Sequence, residues 1–144
     1  MGQFDVLTKP SKVIKVSGTA LTGDAMLADS SGLTVFDISD VAAEFAMLEV
    51  NVSTLAGTNV IVKVVTSNER NSVGVAAPVA KKANGSTDFS YTAITQGGIY
   101  QTSTGFKAAD GSAASTLGKF VGIFVDAAGT LTAGDISATL YLRA

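Results

Sequence analysis

The feature of this sequence that most restricts its fold is a period of two in the apolar residues. In MLEVNVS, Leu48, Val50 and Val52 alternate with Glu49, Asn51 and Ser53. Further on, NVIVKVV sets Val60, Val62 and Val64 on one side and Ile61, Lys63 and Val65 on the other. Residues i and i+2 share a face only when the backbone is extended. Branched side chains are stiff in helices and pack well on a pleat. The first segment therefore reads as a strand with one wet face, and the second as a strand covered on both. The connecting TLAGTN carries Gly57 and Asn59 and reads as a hairpin loop, which makes Phe45 to Arg70 one long central hairpin.

The same grammar recurs in KVIKVSG (12–18), LTVFDIS (33–39), SVGVAAPVA (72–80), DFSYTAI (88–94), KFVGIFVD (119–126) and DISATLYLR (135–143). In the last, Ile136, Ala138, Leu140 and Leu142 face inward. Pro78 demotes its strand to an edge or bulge, and Gly122 marks a bulge or another backbone packed close. Turn sequences rich in Gly, Asp, Asn and Ser separate the segments. Only DISDVAAEFAML (37–48) argues for a helix, of one short turn, with STLGKF (115–120) as another candidate turn. About eight strands with no α/β alternation predict a single all-β antiparallel sandwich of jelly-roll type. Residues 1–11 end around Pro10, lack alternation and read as an N-terminal arm; 12–144 form the domain.

Apolar residues make up 47% of the chain and charged ones 15%, against about 25% charged in an average domain. The surface is therefore neutral and hydroxyl-rich. Either subunits bury much of it or Ser and Thr cover it, and burial between subunits is preferred. The net charge of −2 gives no basic face for nucleic acid. Lys9, Lys12 and Lys15 are the local basic cluster. On a strand Lys12 and Lys15 fall on opposite faces, as edge lysines that discourage sheet pairing would. No apolar run approaches the length of a membrane span, the start lacks the pattern of a secretory signal, and a soluble protein made in a cytoplasm is expected.

With no His and no Cys, the usual neutral-pH base, thiol chemistry and the common zinc ligands are all missing. Acid–base work would fall to carboxylates, and Asp24, Asp29, Asp88, Asp110, Asp126 and Asp135 sit where Asp bonds to nearby backbone. Glu49 reads as a solvated carboxylate on a wet strand face. Asp37 with Asp40, and Asp110, are the places to look for calcium, but neither matches a calcium loop. The glycines form no phosphate-binding pattern. The chain is expected to be no enzyme, with no cofactor and no bound metal. Phe89 and Tyr91 read as core or cross-strand partners. Tyr100 is the best candidate for an exposed aromatic, and Glu69 and Arg70 sit at the tip of TSNERNS (66–72).

A small cysteine-free β-domain rich in Gly, Ala, Thr and Ser, with MGQFDVLTKPS as an arm and LEVNVSTLAGTNVIVKVVTSNE (48–69) and GTLTAGDISATLYLRA (129–144) as sandwich strands, resembles the decoration or cement proteins of tailed-phage capsids. The resemblance covers the whole chain in style and rests on no motif. It implies a virion structural protein on the capsid exterior, a homotrimer bound to the major capsid protein, with no nucleic-acid or membrane partner. The contact residues expected from the arm and loops are Phe4, Val6, Leu7, Glu69, Arg70 and Tyr100. The alternative is a glycan- or receptor-binding module of a phage fibre or tail, using Tyr100. A carboxylate hydrolase would need two acids flanking one cleft.

Overall fold

The alternating segments become strands, and their apolar faces meet. In the computed structural model, which describes residues 10–74, 79–82, 87–105 and 117–144, the strands are β1 (Lys12–Gly18), β2 (Ala25–Met26), β3 (Phe36–Asp37), β4 (Phe45–Ala56), β5 (Val60–Ser67), β6 (Ser90–Ile94), β7 (Gly98–Gly105), β8 (Phe120–Ala127) and β9 (Ala133–Arg143). They build two antiparallel sheets. The front sheet runs β1-β9-β4-β7, and the back sheet runs β2-β8-β5-β6 with β3 also paired to β8. The pairs β5–β6, β4–β7, β2/β3–β8 and β1–β9 nest one inside the next. The architecture is all-β, as the alternation requires, with nine strand segments among the described residues where about eight were expected.

Ile14, Val16, Leu48, Val50, Val52, Ile136, Ala138, Leu140 and Leu142 line the inner side of the front sheet, all buried. They pack on Val60, Val62, Val64, Val121, Ile123 and Val125 of the back sheet in one core. Each such side chain contributes about 1.5–3 kcal/mol by leaving water. The back sheet is covered on its other side too. Val65, Val73 and Phe124 form a second apolar cluster there, flanked by Met26, Val35, Val79 and Phe120, which is why β5 is branched on both faces. Gly122 lies in unbroken register opposite Val65. A Cβ there would stand 2.9 Å from the Thr34 carbonyl oxygen, so of the two readings it is close backbone packing, and not a bulge, that holds.

Several expectations need correction. Phe45 to Arg70 is not a hairpin: β4 belongs to the front sheet and β5 to the back. Gly57, at φ +107°, turns the chain through a corner between sheets. The corner locks to the β8–β9 connection through Thr132 N–H to Ala56 O (2.9 Å) and Ala128 N–H to Asn59 O (3.1 Å). LTVFDIS contributes only Phe36–Asp37 as strand, because Leu33 is taken up in the turn that Asp29 organises, its N–H donating to the Asp29 carboxylate at 2.9 Å. Of 72–80, Val79 makes an isolated bridge to Val65, and Val75–Pro78 lie outside the described residues. No α-helix forms among the described residues; 41–44 lack a helical ladder and Val41 N–H closes a turn onto Ile38 O at 3.0 Å. A single 3-10 turn, Arg70–Ser72, lies in the tip at 66–72. No helix among the described residues is long and apolar enough to cross a membrane.

Candidate interaction surface

The described aspartates are occupied in turns, backbone hydrogen bonds and ion pairs. The Asp29 carboxylate accepts the Ser31 hydroxyl (2.7 Å) and the backbone N–H groups of Ser31 and Leu33 (2.9 Å each). That hydroxyl, then the Leu33 N–H, holds its pKa below the ordinary carboxylate value. Asp37 accepts the Ser39 hydroxyl at 2.6 Å and its N–H at 2.9 Å, and the same hydroxyl leads in depressing its pKa. Asp24 accepts Ala127 N–H (2.8 Å) and Asp135 accepts Ala20 N–H (2.9 Å). Asp40 pairs with Lys12 at 3.0 Å, Asp126 with Lys63 at 2.7 Å, and Asp88 with Lys81. The two proposed calcium aspartates, Asp37 and Asp40, thus have separate protein partners; Asp110 lies outside the described residues. Among the described residues no group of three or more His, Cys, Asp or Glu could hold a metal ion.

Of the six contact residues selected from the sequence, Glu69, Arg70 and Tyr100 are among the described residues. Phe4, Val6 and Leu7 lie outside the described residues. Glu69 and Arg70 are exposed. The Glu69 N–H donates to the Ser67 hydroxyl at 3.0 Å, and the Arg70 guanidinium lies 4.7 Å from the Phe120 ring centre, a cation–π contact that fixes the tip on β8. Tyr100 is not the exposed aromatic expected. It pairs with Val50 on the inner side of the front sheet, its ring sits 5.0 Å from that of Tyr91, and its hydroxyl donates to Gln96 O at 2.8 Å. Its neighbour Ile99 is the exposed one, at 67%. Phe89 is fully buried and Tyr91 packs against the core.

What remains is the outer face of the front sheet, which sequence reasoning did not single out. It follows from register. Ser17, Ser137, Asn51 and Ile99 form one cross-strand row; Lys15, Thr139, Glu49 and Gln101 the next; Val13, Tyr141, Met47 and Ser103 the third. The margin beside β1 is extended by Ala28, which exchanges both backbone hydrogen bonds with Ser17 (2.8 and 3.1 Å). Unlike the back sheet, this face carries no apolar cover from the described residues. Along its β1 side lies an open trough of about 600 Å³, lined by Lys15, Asp29, Ser30, Glu49, Thr139 and Tyr141 among others. Gln101 Nε2 donates to Glu49 at 2.7 Å, and Lys15 makes no ion pair among the described residues. Of the three exposed large apolar side chains among the described residues, two, Val13 at 41% and Ile99, belong to these rows. Such a surface offers a partner hydroxyls, a few charges and exposed apolar side chains. No protein-family model matches the sequence, and no curated protein is significantly similar to it.

Proposed function

We propose that this chain is a non-enzymatic virion structural protein, a decoration or cement protein that binds the outside of a tailed-phage head shell. The observation that carries the reading is a two-sheet body with one sheet face left uncovered among the described residues, while the described aspartates are committed to turns and ion pairs. The fold reading is a jelly roll. Its support is the strand order β1-β9-β4-β7 against β2-β8-β5-β6 with nested antiparallel pairs, β2 and β3 acting as one interrupted strand on β8. In this proposal three copies cluster on the shell through loop and arm contacts to the major capsid protein, and many weak contacts add through effective concentration.

The test is cosedimentation of the purified chain with expanded, undecorated shells of the same virion, together with the temperature at which the shells break. Saturable binding and a raised breaking temperature are expected, and both should weaken when residues 1–11 are deleted. Shells that neither bind the chain nor gain stability from it would end the proposal. The fibre or tail reading used the Tyr100 ring and neighbouring loops for glycan or receptor contact. The inward position of that ring gives it no specific support.

A further inference from the structure

The rows on the outer face of the front sheet are self-complementary, and we propose that this face docks on the same face of a second copy about a two-fold axis. The axis lies between the two sheets, parallel to β9, so that β9 covers β9 and β1 covers β4 of the second copy. An isologous contact requires that if residue i meets j, then j meets i. The register supplies this. In the middle row Lys15 and Glu49 flank Thr139 symmetrically, so Lys15 of each copy faces Glu49 of the other, twice.

The neighbouring rows agree. In one, Val13 and Met47 flank Tyr141, which sets valine against methionine and tyrosine against tyrosine. In the other, Ser17 and Asn51 flank Ser137, with Ala28 and Ile99 one position further out on either side. Serine then meets asparagine, and Ala28 meets Ile99. Val13 and Ile99, exposed in the single chain, are covered by apolar partners, and Lys15 gains a carboxylate that it lacks among the described residues of its own copy. Packed sheets lie about 10 Å apart, within reach of a lysine and a glutamate extended toward each other. Arg143, at the end of β9, opposes itself across the axis; there the roughly 30° rotation between packed sheets splays the two ends.

The area sets the strength. Four strands and the Ala28 margin span about 20 Å by 25 Å, on the order of 500 Å² per copy, below the ~800 Å² per partner of a standard stable interface. The pairing is therefore weak and concentration-dependent. It does not depend on the shell-binding proposal.

Sedimentation equilibrium of the full chain from about 1 µM to 1 mM decides it. The expected result is a monomer–dimer equilibrium that Lys15→Glu and Glu49→Lys each weaken at least tenfold and that the double swap restores, with unchanged far-UV circular dichroism throughout. A monomer at all concentrations overturns the proposal. So does association of any order, three-fold included, that ignores the single reversals, or that the double swap fails to restore. Shell binding measured on the same variants keeps the two proposals apart. Dimerisation intact with no shell binding defeats only the function proposed above; shell binding with no dimer defeats only this pairing.

Discussion

Replacing Gly57 by alanine tests the corner that sends the chain from the front sheet to the back. At φ +107° the backbone is in a region that L-residues reach only with strain of about 1–3 kcal/mol. A Cβ there would stand 2.7 Å from Thr130 O and 2.8 Å from Thr132 N. Both are backbone atoms, so no side-chain rotation relieves the clash. The 128–132 connection must shift, weakening the two backbone hydrogen bonds that tie it to Ala56 and Asn59, each worth about 1 kcal/mol net. The sum is about 3–5 kcal/mol, a large part of the ~5–15 kcal/mol that holds an ordinary domain folded. The control is Gly129→Ala, in the same pair of connections, where a Cβ meets only the Thr58 side chain, Oγ1 at 3.7 Å and Cβ at 3.9 Å. That change should be neutral or stabilise by up to about 1 kcal/mol through the unfolded chain. Urea denaturation followed by circular dichroism reads both, and with a slope near 2 kcal/mol/M Gly57→Ala lowers the midpoint by about 1.5–2.5 M. If the two variants shift the midpoint equally, or Gly57→Ala costs under about 1 kcal/mol, the strained-corner argument is wrong.

Leu140 is fully buried on β9 in the middle of the front sheet, and Leu140→Ala should cost about 2–5 kcal/mol in the same urea assay. Asp29 and Asp37 have depressed pKa values in the fold, so their contribution is present above the unfolded carboxylate pKa of about 3.9 and is lost as pH falls through the folded values. Stability from these groups should be flat from pH 7 to 5 and fall below about pH 4. Asp29→Asn should shallow that acid limb in thermal melts taken between pH 2.5 and 7. An unchanged limb would remove Asp29 from the account.

Local conformation was legible in the sequence wherever alternation was strong. The inward set on β9 and the doubly covered β5 both follow from side-chain parity, which is local. Sheet membership was not legible. Alternation says that β4 and β5 are extended but is silent on whether the chain between them turns back within a sheet or crosses to another. That choice rests on the φ of Gly57 and its contacts with residues far along the chain. β7 escaped notice because its inward positions are Tyr100, Thr102 and Thr104 while Ile99 points outward, so the period-two signal is weak and partly reversed. Tyr100 was misjudged for the same reason, since one residue of register moves a side chain to the opposite face. The outer face of the front sheet was half visible. Glu49 read as a wet-face residue and Lys15 as opposite to Lys12, but their shared row across Thr139 exists only through pairing with β9.

The weakness of the proposed pairing bears on the proposed function. An interface this small fits a Kd on the order of 100 µM, about −5.5 kcal/mol, and at micromolar concentration such a protein is nearly all monomer. Neighbours tethered a short distance apart on a shell experience an effective concentration on the order of 1 mM, about ten times that Kd, so the same contact would be closed about nine-tenths of the time. A face that alternates apolar, charged and hydroxyl rows suits this regime. A wholly apolar face would associate in free solution before any shell was present, and a wholly charged one would be screened at physiological salt. On this argument, a variant with a strengthened face, such as Ser17→Val with Asn51→Leu, should dimerise at lower concentration and load onto shells less evenly. If tighter pairing instead left loading unchanged, the two-fold contact would have no part in decoration.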